Sequence, residues 1–112
     1  MRHLTPGLVA LAVMWCSATE AQTAFNLHVT GVGTYGDGSI FIFVSGTIAE
    51  PYCNASRIDI PSTHPQVKTF YSTAVTAFVS GSGVFGSVNG CDPAAGTPTF
   101  DTTTNSYLYL IP

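Results

Sequence analysis

The stretch Thr63-His64-Pro65-Gln66-Val67-Lys68-Thr69-Phe70-Tyr71-Ser72-Thr73-Ala74-Val75-Thr76-Ala77-Phe78-Val79-Ser80-Gly81 decides the fold, because it carries the one strong helical signal in a chain of 112 residues. Val67, Phe70, Tyr71, Ala74, Ala77 and Phe78 recur at three- and four-residue spacing and predict one apolar stripe. Thr63 and Gln66 have the form of a capping box, and Pro65 suits a first helical turn, where its missing N–H removes no bond. Gly81 and Gly83 end the pattern. Thr69, Thr73, Val75, Thr76 and Val79 are indifferent helix formers, so packing rather than propensity must hold the helix. The competing assignment is two short strands.

Every other ordered-looking segment has β character. Phe25 to Tyr35 predicts one long strand, bent or bulged where Gly31 and Gly33 remove side chains. Gly36-Asp37-Gly38-Ser39 supplies a turn, and Ile40 to Val44 a second strand that is apolar on both faces and so needs cover on both. Tyr52 to Ile60 predicts a third strand, with Ser56, Ile58 and Ile60 on one side and Arg57 and Asp59 on the other, solvated one. Val84 to Val88 and Ser106 to Leu110 are the fourth and fifth, the last with tyrosines facing one way and leucines the other. Asp92 to Thr104, rich in Pro, Gly and Thr, predicts a loop with at most a short edge piece.

The expected fold is therefore mainly β with one helix. The order β-β-β-α-β-β is that of a small five-stranded OB-like barrel, with the helix plugging one end. A sheet with one helix packed on it fits the same order.

The chain opens with Met1-Arg2-His3, a mostly apolar run from Leu4 to Cys16, and the small or polar Ser17 to Ala21. That is the layout of a secretory leader, with cleavage after Ala21 or, alternatively, Ala18. The apolar run is too short to span a bilayer. Val13-Met14-Trp15 before Cys16 lacks the small residues that precede a lipid-modified cysteine. Residues 1–21 are thus assigned as signal peptide and residues 22–112 as a single domain, secreted or periplasmic.

Export leaves Cys53 and Cys91 as the only cysteines, and an oxidising compartment favours their pairing over two free thiols. Closing a loop of about 38 residues contributes roughly 4 kcal/mol in the chain-entropy model, which matters for a domain this small. Arg57 and Lys68 stand against Asp37, Glu50, Asp59, Asp92 and Asp101. A chain so sparsely charged, with no basic stripe, is not a nucleic-acid binder.

From Lys68-Thr69-Phe70-Tyr71 through Ala77-Phe78-Val79-Ser80-Gly81, the following strand and Gly90-Cys91, the chain resembles the binding subunits of bacterial AB5-type toxins, in particular those similar to the subtilase cytotoxin B subunit. Tyr35-Gly36-Asp37-Gly38, Cys53 and Tyr107-Leu108-Tyr109 fall where similar small exported proteins carry comparable features. The resemblance spans most of Tyr35 to Leu110. It implies an oligomer-binding barrel, ring formation and recognition of host-cell glycans. None of that family's sugar-contacting residues maps onto this chain, so none is carried over.

Catalytic chemistry finds little footing. His64 is explained by the cap, and a base role with Ser62 or Asp59 needs a proximity that spacing does not give. Asp37 between glycines is a turn aspartate. Neither a calcium loop nor a phosphate cradle is present, and no cysteine and histidine cluster supplies a metal site. No cofactor is expected. Tyr52, Tyr107 and Tyr109 are amphipathic rings suited to stacking on sugars or to a protein interface, or else to a small inner core. Phe41 and Phe43, if they project outward, predict a subunit interface. Arg57 is the remaining candidate contact. The expectation is a non-enzymatic binding module for a cell-surface glycan, oligomeric through its own copies. The alternative is a structural or inhibitor-like protein that binds another exported protein.

Overall fold

The computed structural model describes residues 23–112; the leader assigned to residues 1–21 lies outside the described residues. Strand β1 (Thr23–Thr34) organises the sheet because its two halves have different partners. The first half runs antiparallel to β4 (Gly83–Val88), from Thr23 opposite Val88 to His28 opposite Gly83. The second half runs antiparallel to β2 (Ile40–Ile48), from Val29 opposite Val44 to Thr34 opposite Ile40. The register shifts between Val29 and Gly31, the bulge that the glycines announce, and such a shift bends and twists the strand. Strand β3 (Ala55–Ile60) adds outside β2, and β7 (Tyr107–Ile111) outside β4. The result is one antiparallel sheet ordered β3-β2-β1-β4-β7. Helix α1 (Val67–Ser80) joins β3 to β4, and β5 (Cys91–Asp92) pairs with β6 (Thr97–Pro98) in a small separate hairpin.

Alternation gives the sheet an inner and an outer face. Inward lie Phe25, Val29, Ile40, Ile42, Val44, Ile58, Ile60, Val84 and Val88, all buried. They meet Ala74 and Ala77, whose small side chains let the helix backbone approach, and Phe100, which stacks on Phe70 with centroids 4.4 Å apart. Burying each of the large side chains stabilises the fold by about 1.5–3 kcal/mol. Gly86 marks the tightest point of the inner face: a Cβ there would lie 2.7 Å from Phe25 Cζ and 2.8 Å from the Tyr107 carbonyl oxygen. Gly81 ends the helix in the left-handed region, φ 76°, its N–H donating to the Ala77 carbonyl at 3.0 Å.

Cys53 and Cys91 form the disulfide, with Cα atoms 5.9 Å apart, tying the loop before β3 to the start of β5. Glu50 reinforces this junction. Its buried carboxylate accepts from the Gly90 N–H at 2.8 Å, and its carbonyl accepts from the Cys53 N–H at 3.1 Å.

Several expectations are corrected. The sheet does not close into a barrel: its order ends at β3 on one edge and β7 on the other, and no ladder joins them. The element order is β-β-β-α-β-β-β-β, since the stretch expected as a loop contains β5 and β6. The arrangement is thus the sheet with one helix on it. The third strand begins at Ala55 rather than Tyr52, because Tyr52 sits at φ 71°, which no extended strand allows. Thr63 does not cap the helix. Gln66 is the N-cap without a side-chain cap bond, and its N–H donates to His64 Nδ1 at 3.0 Å. Phe78 is half exposed, because the contact with the sheet centres on Ala74 and Ala77 and leaves the next position outside it. Among the described residues no helix is long and apolar enough to cross a membrane.

Candidate functional site

The outer face of the sheet carries the second apolar set of β2. Phe41 lies over Gly33 of β1, where a Cβ would collide with its ring, and Phe43 lies beside Gly31. The glycines that bend β1 thus also make room for the rings. Tyr35 continues the row at 5.1 Å from Phe41, and Phe43 follows at 5.5 Å from Phe41 on the other side. Arg57, opposite Phe43 on β3, holds its guanidinium 6.0 Å from that ring's centroid.

Asp59, two residues on, shares the face with Arg57 but not its exposure. The expectation of a solvated face fails here, since Asp59 is only 3% exposed. The β5–β6 hairpin covers it: Thr97 Oγ1 donates to Asp59 Oδ2 at 2.5 Å, and Arg57 Nε donates to the same oxygen at 2.7 Å. Asp59 Oδ1 is buried without a partner. The hydrogen bond to Asp59 holds the Arg57 pKa above its ordinary value despite desolvation, with the Asp59 and Asp92 charges adding to it. Arg57 is fixed through one nitrogen, and its two terminal nitrogens have no partner among the described residues.

These residues border a cavity of about 510 Å³ between the β1–β2 turn, β3 and the hairpin. Tyr35, Asp37, Arg57, Asp59 and Asp92 are among its walls. Asp37 is a turn aspartate, as expected: its Oδ1 accepts from the Ser39 hydroxyl at 2.6 Å and the Ser39 N–H at 3.0 Å, and the two bonds lower its pKa. Asp92 is buried and turns Oδ1 toward the Ala94 N–H at 2.8 Å. The site therefore offers a cationic fork, carboxylate acceptors and an aromatic ring that is 45% exposed, all held by strands or by satisfied turns. Among the described residues no group of three His, Cys, Asp or Glu is placed to hold a metal ion.

The structure divides the residues singled out from sequence into three places. Phe41, Phe43 and Arg57 come together on β2 and β3. Tyr107 and Tyr109 lie on the same outer face but on β7, stacked at 6.1 Å and flanking Phe85 at 6.0 and 5.5 Å, with β1 and β4 between them and the cavity. Tyr52 stands apart, fully exposed beside the disulfide. The tyrosines and leucines of β7 do face opposite ways, Leu108 toward the core. Tyr35 and Asp92 were missed as site residues, and Asp59 was read with Arg57 as an ordinary solvated face. The Arg57-x-Asp59 spacing placed two opposite charges on one strand face, but only the hairpin, unseen in the sequence, turns that face into a cavity wall.

His64 is buried with both ring nitrogens engaged. Nδ1 accepts from the Gln66 N–H, so Nε2 is the protonated nitrogen and donates to the Asp101 carbonyl at 2.8 Å. It joins the helix start to the loop before β7.

No protein-family model matches the chain, and the searches of curated proteins and of solved structures found no match. The functional reading rests on the geometry of the site.

Proposed function

We propose that the chain is an exported, non-enzymatic binding module and that the outer-face cavity takes a saccharide. The observation that carries this reading is the Arg57 guanidinium, clamped at Nε by a buried carboxylate with its terminal N–H groups unpaired beside an exposed tyrosine ring. Sugars present adjacent hydroxyls that accept from such a fork and donate to carboxylates, together with a C–H face that packs on an aromatic ring. Asp92 supplies the acceptor and Tyr35 the ring. The disulfide supports an oxidising compartment, whether periplasmic or extracellular. The resemblance to AB5-type binding subunits points to the same ligand class. The order β3-β2-β1-β4-β7 would become a closed five-stranded ring if β3 and β7 met, one ladder short of the barrel that resemblance implies.

A second reading has its own observation. Tyr52 is fully exposed in a backbone conformation that a non-glycine residue adopts at a cost, on a loop anchored by the disulfide. An aromatic held out in this way suits insertion into another exported protein. Assembly of identical copies would use the free β7 edge with Tyr107 and Tyr109, or the row of Phe41 and Phe43.

A glycan array probed with the mature protein tests the first reading. Selective signal is expected, lost in Tyr35→Ala and in Asp92→Asn and retained in Tyr52→Ala. An array without signal, or signal that depends on Tyr52 and not on Tyr35, refutes it. Mass measurement in solution at micromolar concentration tests assembly, a monomer being the refuting result.

A further inference from the structure

On the helix side of the β1–β2 turn lies a second cavity, of about 300 Å³. Its walls are mostly apolar: Ile40 of β2, the Gly38 backbone, and Val67 and Tyr71 of α1, with Ser62 and Lys68 at its polar points. Ile40 belongs to the inner face, so this cavity and the one bordered by Arg57 lie on opposite sides of the sheet.

Lys68 is the only lysine in residues 22–112. It is exposed in the first turn of α1, makes no ion pair among the described residues, and has no acidic residue in that turn to offset it. A lone cation there also opposes the helix macrodipole, whose positive end is at the N-terminus. The hydroxyls of Ser62 and Tyr71 have no hydrogen-bond partner among the described residues. An anion at this point would offset the lysine and the helix end together, and the hydroxyls could donate to it.

We propose that this cavity binds a small amphipathic monocarboxylate, with its apolar body against Ile40, Val67 and Tyr71 and its carboxylate at Lys68. The volume is at the lower end for ligand sites, roughly 300 Å³, so the body is a medium acyl chain or a single ring. One cation with two hydroxyls matches one carboxylate; a phosphate or sulfate calls for more donors.

Octanoate and 1-octanol, equal in chain length and different in charge, are the probes, titrated into the mature protein while backbone amide shifts are recorded. Octanoate is expected to move the amides of Ile40, Val67 and Lys68 and to bind more tightly than octanol. Lys68→Gln, at an exposed position, is expected to weaken octanoate about fivefold to tenfold and leave octanol unchanged. Thr34→Trp, which fills the cavity mouth from the exposed end of β1, is expected to abolish both. Equal affinity for the two probes overturns the proposal. So does an unchanged octanoate affinity in Lys68→Gln, the absence of shifts at about 1 mM ligand, or shifts confined to the Arg57 side of the sheet.

Discussion

Replacing Arg57 by methionine should destabilise the protein more than replacing its buried partner Asp59 by asparagine. Methionine keeps the apolar stem against Phe43 and removes only the guanidinium. What remains is a carboxylate that is 4% exposed, held by Thr97 alone on Oδ2 and by nothing on Oδ1. Stranding a buried charge costs about 3–5 kcal/mol in fully buried pairs. Arg57 is 30% exposed, so solvent already screens part of the pairing and about 2–3 kcal/mol is expected. Asp59→Asn keeps an oxygen for both donors and removes the desolvated charge, so its cost should be about 1 kcal/mol. The double variant Arg57→Met/Asp59→Asn should then be more stable than Arg57→Met alone, by about 1–2 kcal/mol. Urea unfolding of the disulfide-bonded protein reads this out directly. With a slope of about 1 kcal/mol/M, Arg57→Met should lower the midpoint by about 2–3 M at constant slope. A loss under about 1 kcal/mol, or a double variant no more stable than Arg57→Met, would show that the Asp59 charge is not confined as described.

Gly86→Ala should cost about 2–3 kcal/mol, because the new Cβ meets a buried ring and a β7 carbonyl that cannot both yield, whereas Gly36→Ala, with nothing within 4 Å, should stay within about 0.5 kcal/mol by the same denaturation assay. Tyr52→Asn should raise stability by about 0.5–1 kcal/mol, since asparagine tolerates φ 71° and the exposed ring makes no packing contact to lose; an unchanged or lower midpoint contradicts the strain. Burial acts to raise the Asp101 pKa, but hydrogen bonds from Ser106 and Thr103 outweigh it and lower it. A carboxyl whose folded pKa is depressed contributes stability above its unfolded pKa and loses it as pH falls through the folded one. The gap between wild type and Asp101→Asn should therefore be full near neutral pH and close between about pH 5 and pH 2, as followed by unfolding midpoints across that range.

Helix α1, the bulge in β1 and the pairing of Cys53 with Cys91 were legible in the sequence because each rests on local chemistry. They follow from three- and four-residue spacing, from glycines inside a strand, and from the two cysteines that the expected leader leaves. The inner face was legible too, since Ile40, Ile42, Ile58 and Ile60 alternate. What escaped depends on contacts distant in sequence. Asp59 looks like a surface residue until Thr97, 38 residues later, bonds to it. His64 reads as part of the helix cap, as its bond from the Gln66 N–H bears out, but its second bond, to the Asp101 carbonyl, escapes. Both errors trace to residues 91–106, whose Pro, Gly and Thr content announces turns but not where those turns dock. The closed barrel was inferred from element order alone, which does not say whether β3 and β7 meet, and they do not.

The division of β1 between two partners has a consequence for how the chain acquires its shape. Thr34 finds Ile40 almost at once, but Thr23 waits for Val88, more than half the chain away. A polypeptide emerging amino end first thus carries its spine with one flank satisfied and Phe25 and Leu27 bare until the last third arrives. Topologies dominated by such remote pairings fold slowly, and the exposed interval is when misassociation is most dangerous. A holding chaperone while the last third is still to come, rather than greater final stability, is the safeguard this architecture calls for.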